Sequence, residues 1–163
     1  MPWRRPATAS SVCIISPNII DLAVMAGVLS GKFPVIAARD CDEAMQLLGP
    51  RRVCRLAYYE VGEDADVAVR DMRLLGRRGM EVIALFHPPC PTAVRQATAK
   101  GRIQGLCPLP ILPESLLAQT REALSRLRPA PCQSDRNCCL LTQEEIAFLR
   151  GPADPEGVSS SVG

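Results

Sequence analysis

The sequence has one histidine, six aromatic residues and almost no net charge. No stretch of it approaches the roughly 18 to 20 uninterrupted apolar residues of a membrane-spanning helix. Its 19 basic and 17 acidic residues leave a charge of only +2, so there is no bulk polycation to hold a phosphate backbone, and so few aromatics cannot form a base-stacking surface. Direct nucleic-acid binding is therefore disfavoured. The eight cysteines, at 13, 41, 54, 90, 107, 132, 138 and 139, include no Cys-x-x-Cys pair, and His87 is the one histidine that could join them. No zinc framework is expected. Isolated cysteines in a reducing compartment behave as small apolar residues. The opening Met1-Pro-Trp-Arg-Arg-Pro6 is basic but is not followed by an apolar region and a cleavage site, since Val12 to Ile15 is too short. The sequence reads as cytoplasmic, with no membrane contact.

What the chain does have is 163 residues, 47% of them apolar and 22% charged: one domain of ordinary size with a short appendage. From Ser11 to Leu127, short aliphatic runs alternate with longer segments of helical period, which predicts a parallel sheet covered on both faces. The expected strands are 11–16, 33–38, 53–59, 81–86 and 104–107. Pro17 opens the first helix, whose inward stripe reads as Ile19, Ile20, Ala23, Val24 and Val28. Asp40 and Glu43 form a capping box, ahead of Ala44, Leu47 and Leu48 facing inward. The third helix, about 64–75, should bury Val67, Met72 and Leu75. A weak helix over 93–100 and a strong one over 113–127 complete an α/β, doubly wound (βα)₅ architecture of the flavodoxin type with a five-stranded parallel sheet.

Residues 1–10 read as a flexible start. Arg128 to Leu140 changes composition and reads as a linker. Residues 141–151 form a short helix in which Thr142 and Glu145 are a capping box and Leu141 and Ile146 a hydrophobic staple. Residues 152–163, rich in Gly and Ser, read as a disordered tail. The helix is too short to stand alone, so Ile146, Phe148 and Leu149 need a surface to cover them, either the main domain or a partner. Leu141 to Leu149 resembles the short flagellar-switch segment that binds chemotaxis receivers and, more loosely, the start of a LuxR-type helix-turn-helix. The chain beyond Thr142 is too short for a complete DNA-binding domain.

The element order, the spacing and the closing segment Leu109-Pro-Ile-Leu-Pro-Glu-Ser-Leu116 resemble the receiver domain of bacterial response regulators, the CheY-like family. That resemblance implies a signalling role in two-component transduction. It also implies an acidic pair after the first strand, a phosphoacceptor aspartate after the third, a hydroxyl after the fourth and a lysine after the fifth. In this sequence the acidic pair falls on Ser16 and Pro17. The phosphoacceptor falls on Tyr58 or Tyr59, with Glu60 the nearest carboxylate and one residue out of register. The hydroxyl falls on Phe86 and the lysine on Leu109. Such a chain resembles a degenerate pseudo-receiver: no Mg²⁺ site, no other metal or cofactor, no phosphoryl transfer, and bulk filling the cleft.

The resemblance places partner binding on residues 91 to 127, with Ala93, Val94, Leu116, Leu117 and Leu124 as candidates alongside Ile146, Phe148 and Leu149 of the terminal helix. Partners so implied are proteins: a histidine kinase, a transcription or motility component, or a second copy of the chain. The remaining polar clusters have ordinary readings. Asp40, Asp42 and Glu43 belong to a helix start. Glu60, Glu63, Asp64 and Asp66 make an acidic loop with no second carboxylate converging from the first strand. His87 reads as a loop residue. Arg51, Arg52, Arg55, Arg77 and Arg78 flank the amino ends of strands and read as solvated. The alternative assigns them to an anionic small ligand such as a cyclic dinucleotide. No nucleophile, base and orienter converge in the sequence, so an enzyme is not expected. The leading expectation is a phosphorylation-independent signalling protein acting through protein contacts.

Overall fold

The computed structural model describes residues 11–50 and 52–127. The readings made for residues 1–10, Arg51, the 128–140 linker, the 141–151 helix with Ile146, Phe148 and Leu149, and the 152–163 tail lie outside the described residues. Within them the chain runs β1 (Ser11–Ile15), α1 (Ile19–Ser30), β2 (Val35–Ala38), α2 (Cys41–Leu48), β3 (Cys54–Glu60), α3 (Ala65–Arg77), β4 (Glu81–Phe86), α4 (Thr92–Ala99), β5 (Gly105–Pro108) and α5 (Pro113–Leu127). All strand pairings are parallel, and the sheet order is β2-β1-β3-β4-β5. The order reverses between β1 and β3, the place where a doubly wound sheet opens a crevice at its carboxyl edge. Among the described residues no helix is long and apolar enough to cross a membrane.

Alternation along the strands splits the core into two layers. Cys13, Ile15, Ala57, Tyr59, Val82 and Ala84 face α2, α3 and α4, where Ala44, Leu48, Met72, Leu75 and Val94 meet them. Val12, Ile14, Leu56, Tyr58, Ile83 and Leu85 face α1 and α5, against Met25, Leu29, Leu116 and Ala123. Cys13, Cys41, Cys54 and Cys107 are buried free thiols, in keeping with their apolar reading. The Asp40 carboxylate accepts from Glu43 N at 2.8 Å, and Glu43 reaches back to Arg39 N at 2.7 Å, so the predicted capping box forms one residue wider than usual.

Several expected inward positions point to solvent instead, Ala23 of α1 among them. On α1, Ile19, Ile20 and Val24 are 65%, 73% and 56% exposed. Met25 and Leu29 are buried there, with Leu22 and Ala26 packed beside them. With a single charged residue in twelve, α1 is apolar on every side, and periodicity alone cannot choose which face the sheet takes. Leu47 of α2 and Val67 of α3 are also exposed. α2 buries Cys41, Ala44 and Leu48, and α3 buries Ala68, Asp71, Met72 and Leu75.

Candidate functional site

The site is built from the carboxyl ends of β1, β3 and β4. Pairing of Ile15 with Tyr59 brings the next residues, Ser16 and Glu60, side by side, both buried. The Ser16 hydroxyl donates to Glu60 Oε2 and accepts from Asn18 N at 3.1 Å. Asn18 caps α1 by accepting from Ile20 N at 3.0 Å, which starts the helix at this edge and sets Asp21 in its first turn. His87, the residue after β4, is exposed, and its Nε2 stands 3.4 Å from Glu60 Oε1. Donor atoms of Asp21, Glu60 and His87 all lie within 4.8 Å of one another. Beside them opens a cleft of about 310 Å³ lined by Glu60, Val61, Gly62, Glu63, Phe86, His87 and Pro91.

Of the residues aligned with the phosphoacceptor, only Glu60 enters this cleft. Tyr58 and Tyr59 leave the strand on opposite faces and are core residues. Tyr58 Oη pairs with Thr120 Oγ1 at 2.7 Å under α5, and burial pushes its phenol up to about 12. Tyr59 donates to Asp71 Oδ2 at 3.0 Å under α3, and its phenol is raised by burial first and by that carboxylate second. Asp71, itself buried, is held on its other oxygen by the Arg70 guanidinium at 3.1 and 3.2 Å. Strand register delivers Glu60 to the cleft and turns both tyrosines into the layers. Phe86 is half-buried on the cleft wall, Pro17 is exposed, and Leu109 is buried in the α1/α5 layer, its N–H on Phe86 O at 2.8 Å.

This architecture is similar to that of solved response-regulator structures. A response regulator from Thermotoga maritima superposes with a TM-score of 0.63 at 18% identity, covering 72% of this chain and 98% of that one. A CheY-like receiver domain protein from Methanospirillum hungatei does so at 0.62 and 16% identity, over 72% and 95%. Vibrio cholerae chemotaxis protein CheY4 follows at 0.59 and 17%, over 71% and 98%. The chain has the receiver-domain fold. No protein-family model and no curated protein matches the sequence, so the similarity lies in the receiver fold's geometry.

The expected contact residues differ in their exposure. Val94 and Leu116 are buried in the two core layers, Leu117 and Leu124 are half-buried against the α1/α5 layer, and Ala93 is half-buried at the start of α4. For Val94 and Leu116 the helical spacing is that of a sheet-facing stripe. The arginines separate as well. Arg55 donates to Leu127 O and Arg78 to Gly49 O, each at 2.7 Å, so both satisfy carbonyls at helix ends. With exposed Arg52 they border a depression of about 460 Å³. Arg77 lines a different one, and Arg51 lies outside the described residues.

Asp21 escapes a reading of the sequence because it looks like a first-turn acid on a helix. His87 escapes because no motif surrounds it. The available signal is positional: each sits within a few residues of the carboxyl end of a predicted strand, on the edge where doubly wound sheets gather chemistry.

Proposed function

We propose that this receiver-fold domain is a non-enzymatic signalling module that works through protein contacts and without aspartyl phosphorylation. The observation that carries the reading is the Ser16–Glu60 hydrogen bond. The position after β1 offers a hydroxyl and a proline where the receiver resemblance implies two carboxylates, and that hydroxyl is already engaged with the one strand-end carboxylate of the cleft. Burial of Leu109 supports it, since an apolar side chain in the core cannot read out a phosphoryl charge. The contacts fit places where large apolar side chains remain exposed, among them Ile19, Ile20 and Val24 on α1 and Leu112 before α5, all more than half exposed. Incubation of the full chain with acetyl phosphate and Mg²⁺, followed by intact mass, is expected to yield no phosphoryl adduct. Beryllofluoride is expected to leave the amide spectrum around Glu60 unchanged. An adduct, or large shifts there, would overturn the reading.

A second reading, a sensor of an anionic small ligand, is favoured by one observation at the opposite edge of the sheet. Arg73, Arg77 and Arg102 line a shallow depression of about 390 Å³ together with Gln104. Among the described residues none of these arginines is in a salt bridge. Gln104 Oε1 accepts from Val82 N at 2.8 Å, which fixes the amide and leaves its Nε2 hydrogens as donors. Three guanidinium forks and an amide suit a phosphate-bearing ligand. Cyclic diguanylate is the probe. If this reading holds, it binds in a salt-sensitive way that Arg73→Ala/Arg77→Ala abolishes; absence of binding at low salt removes the reading.

A further inference from the structure

The receiver-like cleft implies Mg²⁺, an ion that demands near-octahedral oxygen coordination. The residues present do not fit it. Ser16 donates its hydroxyl proton to Glu60, Pro17 has no donor atom, and the third group at the cleft mouth is an imidazole. We propose that Asp21, Glu60 and His87 instead bind a divalent ion of the cobalt, nickel and zinc class, with Ser16 as a positioning residue.

Imidazole nitrogen with carboxylate oxygen is a donor set suited to these borderline ions. Glu60 Oε1 and His87 Nε2 are 3.4 Å apart. That separation matches the edge of a tetrahedron with metal–ligand bonds of about 2.1 Å. Asp21 completes a triangle no wider than 4.8 Å, and His87, 61% exposed, forms its solvent-facing corner. The Ser16 hydroxyl holds Oε2 and leaves Oε1 directed at the histidine, the role of an outer-sphere hydrogen bond in orienting a ligand. Glu60 is only 6% exposed with a second carboxylate beside it, so two oxygen donors from different elements meet the imidazole at one point. With three protein donors and an open mouth on the cleft, the fourth position faces solvent, so the site resembles one that exchanges its ion rather than a closed structural one.

The chain holds a single histidine, so nitrogen-15 labelling of its imidazole gives a signal from this site alone, even if cysteines elsewhere also bind metal. Titration of the reduced full chain with Co²⁺ is expected to shift and broaden the His87 ring resonances to saturation, while Mg²⁺ in large excess leaves them in place. Asp21→Asn and Glu60→Gln are each expected to weaken the Co²⁺ response about tenfold or more. Asp21→Asn, on a half-exposed helical turn, remains informative should Glu60→Gln fail to fold. Ring signals that ignore Co²⁺, or that respond equally in the parent and in Asp21→Asn, would overturn the proposal; the latter result would mean a lone surface histidine. The readout is independent of the phosphorylation experiment, so the failure of either idea is distinguishable from failure of the other.

Discussion

Leu116→Ala is expected to lower the unfolding free energy by about 2 to 5 kcal/mol, the range for a leucine deleted from a packed core. The side chain is 1% exposed and sits between α5 and the face of the sheet that carries Leu56, Tyr58 and Ile83. Ile20→Ala, on the exposed face of α1, is expected to change stability by no more than about 0.5 kcal/mol. Urea unfolding monitored by circular dichroism measures both. The contrast matters for function, because Leu116 is among the residues the sequence offered as partner contacts, yet its side chain is buried. A domain of this size has a total stability of roughly 5 to 15 kcal/mol, so a partner lost in Leu116→Ala would report partial unfolding. Ile20→Ala isolates a surface effect. A Leu116→Ala cost below about 1 kcal/mol would mean that this side chain does not lie in the core.

Alkaline pH should unfold the domain early. Burial pushes the Cys13 thiol from 9.0 up to about 12, helped by the nearby Cys54 and Cys41 thiols, and pushes the Cys41 thiol up to about 11. Tyr58 rises from 10.0 to about 12 through burial, partly offset by its hydrogen bond to Thr120. In each case the folded state keeps a proton that the unfolded chain releases. The stabilisation is therefore complete below the unfolded value and drains away as pH climbs toward the folded one. For Cys13 the window runs from 9.0 to about 12, and the loss across it is on the order of 4 kcal/mol. The urea midpoint is expected to fall steadily above pH 9. Cys13→Val should flatten the first part of that fall, and Tyr58→Phe the part above pH 10. A midpoint that stays level to pH 11 would show that these groups are solvated.

The sequence carries the fold almost completely because its elements obey local rules. β4 and α5 lie within the bounds expected from aliphatic runs and from Pro113 at a helix start, and the Asp40 cap forms where its spacing indicates. Where a helix is apolar all round, as α1 is, the rule loses its power. The choice between Ile20 and Met25 is made by the sheet. The candidate site was legible only in part for a related reason. Glu60 stands out as the carboxylate nearest the end of β3, but whether it or a tyrosine enters the cleft depends on pairing register between strands more than forty residues apart. Asp21 and His87 reach it from two further segments, and nothing local in either segment announces that meeting.

The two tyrosines of the chain are neighbours in sequence and opposites in space. Tyr58 ties β3 to α5 through Thr120, while Tyr59 ties it to α3 through Asp71 and Arg70. The residue that follows them is Glu60, at the cleft. A strand whose last three side chains reach three separate parts of the molecule is a mechanical junction: a shift of β3 at its carboxyl end would be felt on both helical layers together. The phenol signals of Tyr58 and Tyr59 then serve as paired gauges, one for each layer, of anything that moves Glu60.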